Sequence, residues 1–313
     1  MSPRLLVTGA NGFVGNSLCK QAVSNGHAVH GTFRIDCDVP NFIEPFVVSN
    51  INGSTDWGNA LREVNAVVHL AGRVHVLHDT ESDPLAAFRT VNVEGTLNFA
   101  RQAAAVGVRR FVFLSSVKVN GESTLPGRAF TETDASNPQD AYGQSKNEAE
   151  QGLRQVSADT GMEVVIIRPP LVYGPGVKAN FAALLRAVQH GWPLPLGMVH
   201  NQRSLVALDN LVDFILTCIV DPLAANQTFF VSDGQDLSTI DLVRGMARAV
   251  GVSARLMPVP VWALHKGASL VGKGDEIQRL CGNLQVDISK ARSLLCWVPP
   301  LSVDEGLRRS MAV

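Results

Sequence analysis

Cysteine is scarce and unorganised in these 313 residues: Cys19, Cys37, Cys218, Cys281 and Cys296 are an odd number, widely spaced, with no C-x-x-C pair. This pattern excludes a disulfide framework and leaves reduced thiols in a cytosolic protein as the expectation. An excess of either charge is also missing, since 27 Lys and Arg stand against 28 Asp and Glu for a formal net charge of −1. Without a basic surplus, a small molecule is the expected partner, with no nucleic acid and no membrane. No N-terminal run joins a basic flank to an apolar segment, and no apolar stretch approaches the ~20 residues that span a bilayer. A cytoplasmic location is therefore expected. No G-x-S-x-G occurs, which removes the nucleophile elbow of a serine hydrolase. His75 and His78 share a loop without a third donor, so no metal is expected. Gly267-Ala268-Ser269-Leu270-Val271-Gly272-Lys273 imitates a P-loop, yet Gly274 stands where a magnesium-binding Ser or Thr belongs, and the segment reads as a helix end. What remains is ordinary globular composition, 46% hydrophobic and 18% charged, in a chain long enough for one large domain or two.

The stretch Val7-Thr8-Gly9-Ala10-Asn11-Gly12-Phe13-Val14-Gly15 joins an apolar strand to the first turn of a helix. Glycine there lets backbone N–H groups close on a phosphate, and the helix N-terminus adds partial positive charge. Gly9, Asn11, Gly12, Phe13, Val14 and Gly15 are thus the expected dinucleotide cradle. Helical spacing runs from Asn11 to Ser24, and a second strand covers His27 to Phe33. At that strand's end an NAD-selecting site usually carries an acid, but Phe33 and Arg34 stand here. Arg34 is placed to accept a 2′-phosphate, which tilts the cofactor towards NADP(H) over NAD(H). The alternative is a solvated Arg34, with Asp36 or Asp38 on the ribose.

Further along, Glu44 to Ser49 reads as a strand, Trp57 to Val64 as a short helix, and Ala66 to Gly72 as a strand. The small end of that strand, Leu70-Ala71-Gly72, lets a cofactor backbone pass closely, whereas His69 within it reads as a satisfied core histidine. Asp83-Pro84 opens a long helix through Ala100, Arg109 to Ser116 is an apolar strand, and Gly161 to Arg168 is another. Arg168-Pro169-Pro170-Leu171-Val172-Tyr173-Gly174-Pro175-Gly176 then forces an extended excursion, with Pro169 among the cofactor contacts. Beyond Asn180, short elements separated by proline suggest a smaller lobe.

The strand ending in Ser115-Ser116 is followed one loop later by Tyr142-Gly143-Gln144-Ser145-Lys146. Tyr142 and Lys146, four residues apart, share a helix face, and an ammonium there is expected to lower the phenol's pKa. Tyr142 then exchanges a proton with a substrate oxygen that Ser116 also binds, and Lys146 reaches the nicotinamide ribose. Ser116, Tyr142 and Lys146 are the catalytic candidates.

Together these motifs resemble the extended short-chain dehydrogenase/reductase family, in its nucleotide-sugar branch typified by UDP-glucose 4-epimerase. The resemblance implies an α/β fold: a Rossmann doubly wound parallel sheet over residues 1–170, with later segments returning to it. Residues 171–313 form mainly a smaller C-terminal substrate-binding lobe. It implies an NAD(P)-dependent oxidoreductase acting at C4 of a UDP-hexose or UDP-N-acetylhexosamine, as 4-keto-sugar reductase or 4-epimerase in polysaccharide biosynthesis. Asn92, in Asn92-Val93-Glu94-Gly95-Thr96, is similar to the family's segment beside the cofactor, on a helix that pairs two subunits into a homodimer. Arg203 matches the arginine that binds the sugar diphosphate, Arg279 is a second candidate cation, and Asn180-Phe181 matches the segment that closes on the nucleotide. Three positions depart from the pattern: Leu171 for a sugar-contacting asparagine, Asn120 for a tyrosine, and Lys118 for the acid of related dehydratases. Lys118 resembles the pattern of enzymes acting on UDP-4-keto-6-deoxy-N-acetylhexosamines, as a substrate contact or a solvated loop lysine. Reduction of a non-sugar carbonyl, such as a flavonoid-like ketone, and a non-catalytic dinucleotide sensor are the alternative functions.

Overall fold

Short, fully buried aliphatic runs without a polar face suit a parallel sheet covered on both sides. In the computed structural model, which describes residues 3–35, 39–74, 83–177, 179–270, 272 and 274–311, mainly aliphatic runs form β1 (Leu5–Thr8), β4 (Ala66–His69), β5 (Arg110–Leu114) and β6 (Glu163–Arg168), β2 (Val29–Phe33) is equally buried but carries His30 and Thr32, and β3 (Glu44–Val47) is the exposed edge. β7 (Leu171–Tyr173) and β8 (Leu205–Ala207) pair in a small separate sheet, and β9 (Thr228–Phe230) returns to the first. The main sheet has seven strands in the order β3-β2-β1-β4-β5-β6-β9, all parallel. Chain direction across the sheet reverses between β1 and β4, the crevice where doubly wound sheets bind ligands. Asp36, Cys37, Asp38, His75, His78, Val271 and Lys273 lie outside the described residues; Cys19, Cys218, Cys281 and Cys296 are free thiols.

Helices cover both faces of this sheet. α1 (Phe13–Ser24) follows β1, and α2 (Pro84–Arg89) and α3 (Thr96–Ala105) precede β5, while α4 (Ala141–Thr160) precedes β6. α5 (Ala179–Gln189), α6 (Leu208–Val220), α7 (Thr239–Val250), α8 (Val261–Leu270), α9 (Gly274–Cys281), α10 (Ser289–Leu295) and α11 (Val303–Met311) complete the chain. Leu18 and Ala22 of α1 pack with Leu211, Phe214 and Ile215 of α6 on one face, whereas Phe99 of α3 and Ala149 and Leu153 of α4 pack on the other. A third core joins Tyr173, Phe181, Leu196, Val243 and Leu307 away from the main sheet.

Two elements differ from expectation. Trp57 to Val64 forms turns and no helix, because the Asp56 carboxylate captures Gly58 N–H at 2.9 Å and Glu63 takes a left-handed φ of 57°. The helix opened by Asp83-Pro84 is not continuous: after α2 the backbone widens into a π-helical stretch, Thr90–Gly95, before α3. Its last residue must be glycine, since a Cβ on Gly95 would come within 2.5 Å of Ile51 Cγ2. Residues 267–270 of the P-loop look-alike end α8, as expected.

Candidate active site

The glycine turn has the geometry its sequence requires. Gly9 has φ 68°, and a Cβ on Gly15 would stand 2.1 Å from the Gly9 carbonyl oxygen, so only glycine lets α1 start against the turn. Gly12 is the N-cap of α1 and offers no side-chain acceptor, which leaves the first-turn N–H groups of Phe13, Val14 and Gly15 for an external anion. This turn rests on the segment after β4, with Gly9 against Ala71. Thr8 holds that segment: its Oγ1 accepts from Leu70 N and Ala71 N at 3.1 Å each, and its own proton goes to His69 Nδ1 at 2.8 Å. His69 Nε2 therefore carries the ring proton and donates to Thr96 Oγ1 at 3.0 Å. Burial and the Lys146 cation push the His69 pKa down to about 3, the satisfied core histidine that was expected. Arg34 lies exposed just past β2, at the same edge of the sheet.

Around Gly72 the remaining candidates converge. A Cβ there would stand 3.0 Å from Asn92 Oδ1 and 3.6 Å from Lys146 Nζ. Asn92, buried in the π-helical stretch, accepts from Arg73 N at 2.8 Å and donates to Arg73 O and Ser145 Oγ at 3.0 Å each. It thereby ties the β4 loop to α4. A dinucleotide fits this set: open helix N–H groups, a strand edge of small residues, and an ammonium at the far end.

Asp140 caps α4 by accepting Gly143 N–H at 2.7 Å, so Tyr142 occupies the first turn and Lys146 the second. The Tyr142 phenol and the Ser116 hydroxyl are hydrogen-bonding neighbours at the mouth of α4. Ser116 is fixed by its neighbours: Ser115 N donates to Ile167 O at 2.7 Å and Val117 N to Pro169 O at 3.0 Å. The expected lowering of the phenol's pKa does not hold, because burial and the Asp140 carboxylate raise it against the Ser116 bond. Lys146 Nζ lies 6.0 Å from the Tyr142 ring centroid, stacks 4.4 Å over Phe113 and donates to Leu114 O at 2.9 Å. Burial lowers its own pKa to about 8, against the pull of Glu150.

Glu150 and Arg168 went unrecognised as part of this site. Fully buried on α4, Glu150 accepts from Ser115 Oγ at 2.6 Å and from Arg168 Nε and Nη2 at 2.9 and 2.5 Å. Arg168 Nη1 reaches Asn120 Oδ1 at 2.9 Å, which gives the departure at Asn120 its place. The signal was present as helical spacing, since residues 142, 146 and 150 share one face.

One cavity of about 720 Å3 gathers Ser116, Lys118, Tyr142, Asn180, Arg203 and Arg279, together with Leu171. Lys118 is neither solvated nor free within it, for its Nζ donates to Glu122 Oε1 at 2.9 Å and to Asp140. Arg203 Nη1 donates to Arg279 O at 2.7 Å and Gly282 O at 3.0 Å, so the two arginines are neighbours. Asn180 is exposed in the first turn of α5, and the adjacent Phe181 stacks on Tyr173 at 5.5 Å.

Known proteins resemble this chain in sequence and in fold. UDP-glucose 4-epimerase of Vibrio cholerae is 47% identical over 312 residues, covering 99% of this chain and 95% of that protein. Among solved structures, UDP-glucuronic acid 4-epimerase from Bacillus cereus in complex with NAD matches with a TM-score of 0.78 at 20% identity, over 98% of this chain and 97% of that one. UDP-N-acetylglucosamine 4-epimerase from Bacillus cereus matches with a TM-score of 0.80 at 19% identity, over the same shares. Those two likenesses concern the fold. The model of the NAD dependent epimerase/dehydratase family matches residues 5–231, from β1 through the glycine turn, Ser116, Tyr142 and Lys146 to the end of β9. With a match of that extent and a relative so similar over its whole length, this chain belongs to the NAD dependent epimerase/dehydratase family.

Proposed function

We propose that the chain interconverts the C4 epimers of a UDP-activated hexose or N-acetylhexosamine, with NAD(H) as its resident cofactor. One observation carries this reading: the cavity that holds Tyr142 and Ser116 also holds Arg203 and Arg279, so that one bound molecule would meet the hydroxyls at its sugar and the cations at its diphosphate. The 47% identity to a UDP-glucose 4-epimerase supports it. The division of labour puts the dinucleotide on residues 1–170, through Gly9 to Gly15, Leu70 to Gly72, Asn92, Lys146 and Pro169. Residues 171–313 mainly hold the sugar nucleotide.

Nicotinamide supplies the acceptor and donor of a hydride at C4. Tyr142 takes the C4 hydroxyl proton as the 4-keto sugar forms and returns it to the oxygen after the sugar has turned its other face. Ser116 holds that oxygen throughout, and Lys118 stands beside it with its charge balanced by Glu122 and Asp140. A homodimer pairing the helical segment 84–105 is part of the proposal, and sedimentation at micromolar concentration tests it.

A second reading, an NADPH-using 4-ketoreductase, rests on Arg34, exposed where an NAD site usually places an acid. One experiment separates them. The nucleotide released on denaturing the purified protein is identified, and fresh protein is incubated with UDP-glucose and UDP-N-acetylglucosamine. Catalytic isomerisation with NAD released supports the first reading. The second requires NADPH binding that weakens about tenfold in Arg34→Ala while NADH binding is unchanged.

A further inference from the structure

The overall charge of −1 conceals an uneven distribution. No Asp or Glu occurs from Val164 to Leu208, nor from Leu242 to Gly274, although acids are frequent elsewhere. The two acid-free segments meet in space: Leu194 N donates to Arg255 O and Met257 N to Leu194 O, each at 2.8 Å, and Gly197 N donates to Met257 O at 2.9 Å.

At this junction the chain exposes large apolar side chains that a soluble surface does not need. Trp192 is 60% and Trp262 65% exposed, with Met198 at 43% and Met257 at 42%. The other two tryptophans, Trp57 and Trp297, are buried at 1% and 5%. Exposed cations flank the patch. Arg186 lies in the last turn of α5, Arg255 precedes the Leu194–Leu256 bridge, and Lys266 Nζ lies 5.5 Å from the Trp262 ring. None of the three forms an ion pair among the described residues.

We propose that this face, built from residues 186–198 and 255–266, docks the enzyme on an anionic lipid surface. Tryptophan with flanking Arg or Lys is the side-chain combination that settles at the headgroup level, where the ring is half apolar and the cation meets phosphate. A second copy of this chain is the poorer occupant, because a two-fold contact would press the same unpaired cations together. Nucleic acid is poorer too, since its interfaces are far more basic and less apolar. Leu194, Leu196 and Leu264 of the same segments line the substrate cavity, so docking brings the site to the bilayer. The contact is peripheral, for no described helix is long and apolar enough to cross a membrane. The inference does not depend on which sugar the cavity accepts.

The full chain is floated with vesicles of phosphatidylcholine alone and with 30% phosphatidylglycerol, at low and high salt. Binding to the anionic vesicles, abolished by salt, is expected together with a blue shift of tryptophan emission. Arg255→Glu/Lys266→Glu should weaken that binding at least about tenfold. Trp192→Ser/Trp262→Ser should lose the blue shift while keeping turnover and Tm, which shows that the variant is folded. Equal recovery with and without vesicles overturns the proposal. So does unchanged binding in both double variants, a concentration-dependent dimer that the Trp variant abolishes, or retention on single-stranded DNA in preference to vesicles.

Discussion

Tyr142 and Tyr173 are the chain's two tyrosines, and each has a defined task. Burial and Asp140 raise the Tyr142 pKa, so the phenol must give up its own proton before it can take that of the sugar hydroxyl. Removing only its hydroxyl in Tyr142→Phe should lower turnover by at least about a hundredfold and leave cofactor affinity near wild type, measured by single-turnover kinetics and fluorescence titration. Wild-type turnover would take Tyr142 out of the reaction. Lys146 makes the complementary prediction about stability. Its pKa in the folded protein is about 8, below the ordinary lysine value of 10.5, so the unfolded chain binds more protons between those two pH values. Lys146 therefore costs stability below pH 8, and that cost is relieved as pH rises towards 10.5. Lys146→Met should thus melt higher than wild type at pH 7, and the gap should narrow by pH 9.5. A gap independent of pH would show that the ammonium is not held at a cost.

Elements were legible where one local rule acts without competition. The aliphatic strands β1, β4, β5 and β6 follow from buried runs, and α4 from Asp140 as cap and the spacing of Tyr142 and Lys146. The turns at 57–64 were not legible, because the apolar spacing of Trp57, Ala60, Leu61 and Val64 fits a helix and also fits a buried turn. What decides is the Asp56 side chain competing for backbone N–H groups, together with a left-handed Glu63. Nor did periodicity reveal the π-helical stretch, since its i→i+5 bonding is confined to the six residues Thr90–Gly95, too short a run to show as a change of period. The Glu150–Arg168 pair was hidden for a different reason: its partners are 18 residues apart and meet only after β6 folds back beside α4. At this scale the most exacting contact is that of α1 on its turn. Gly15→Ala would drive a methyl into the Gly9 carbonyl, and the backbone there cannot yield without moving the cradle. The variant should lose the retained dinucleotide and melt lower, whereas Ala at Gly107, whose Cβ would meet nothing within 4 Å, should lose only stability to its positive φ of 83°. Equal cofactor retention in both variants would show that the turn does not hold the phosphates.

At the scale of the whole molecule, a net charge near zero averages over an uneven distribution, for acids are absent from two segments that fold together. The larger architecture depends on one buried carboxylate. Tyr173, at the end of β7, donates to Asp233 Oδ2 at 2.6 Å, while Asp233 Oδ1 accepts from Ala207 N of β8 at 2.8 Å and from Asn210 Nδ2 of α6 at 2.7 Å. Asp233 follows β9, so these bonds fasten the small sheet, which carries the cavity wall at Leu171 and Val172, to the large one. Burial raises the pKa of the carboxyl and of the Tyr173 phenol alike, which keeps the phenol a donor at neutral pH. Tyr173→Phe preserves the ring that stacks on Phe181 but leaves the buried oxygen one donor short, a loss of about 1–3 kcal/mol. Because that bond lies between the sheets and away from the glycine turn, the variant should melt lower and raise KM for the UDP-sugar, with NAD(H) affinity unchanged. Calorimetry and steady-state kinetics measure the two effects. A loss of stability with unchanged KM would mean that the cavity wall keeps its place without this tie. An equal loss of cofactor binding would mean that the small sheet and the glycine turn are not held independently.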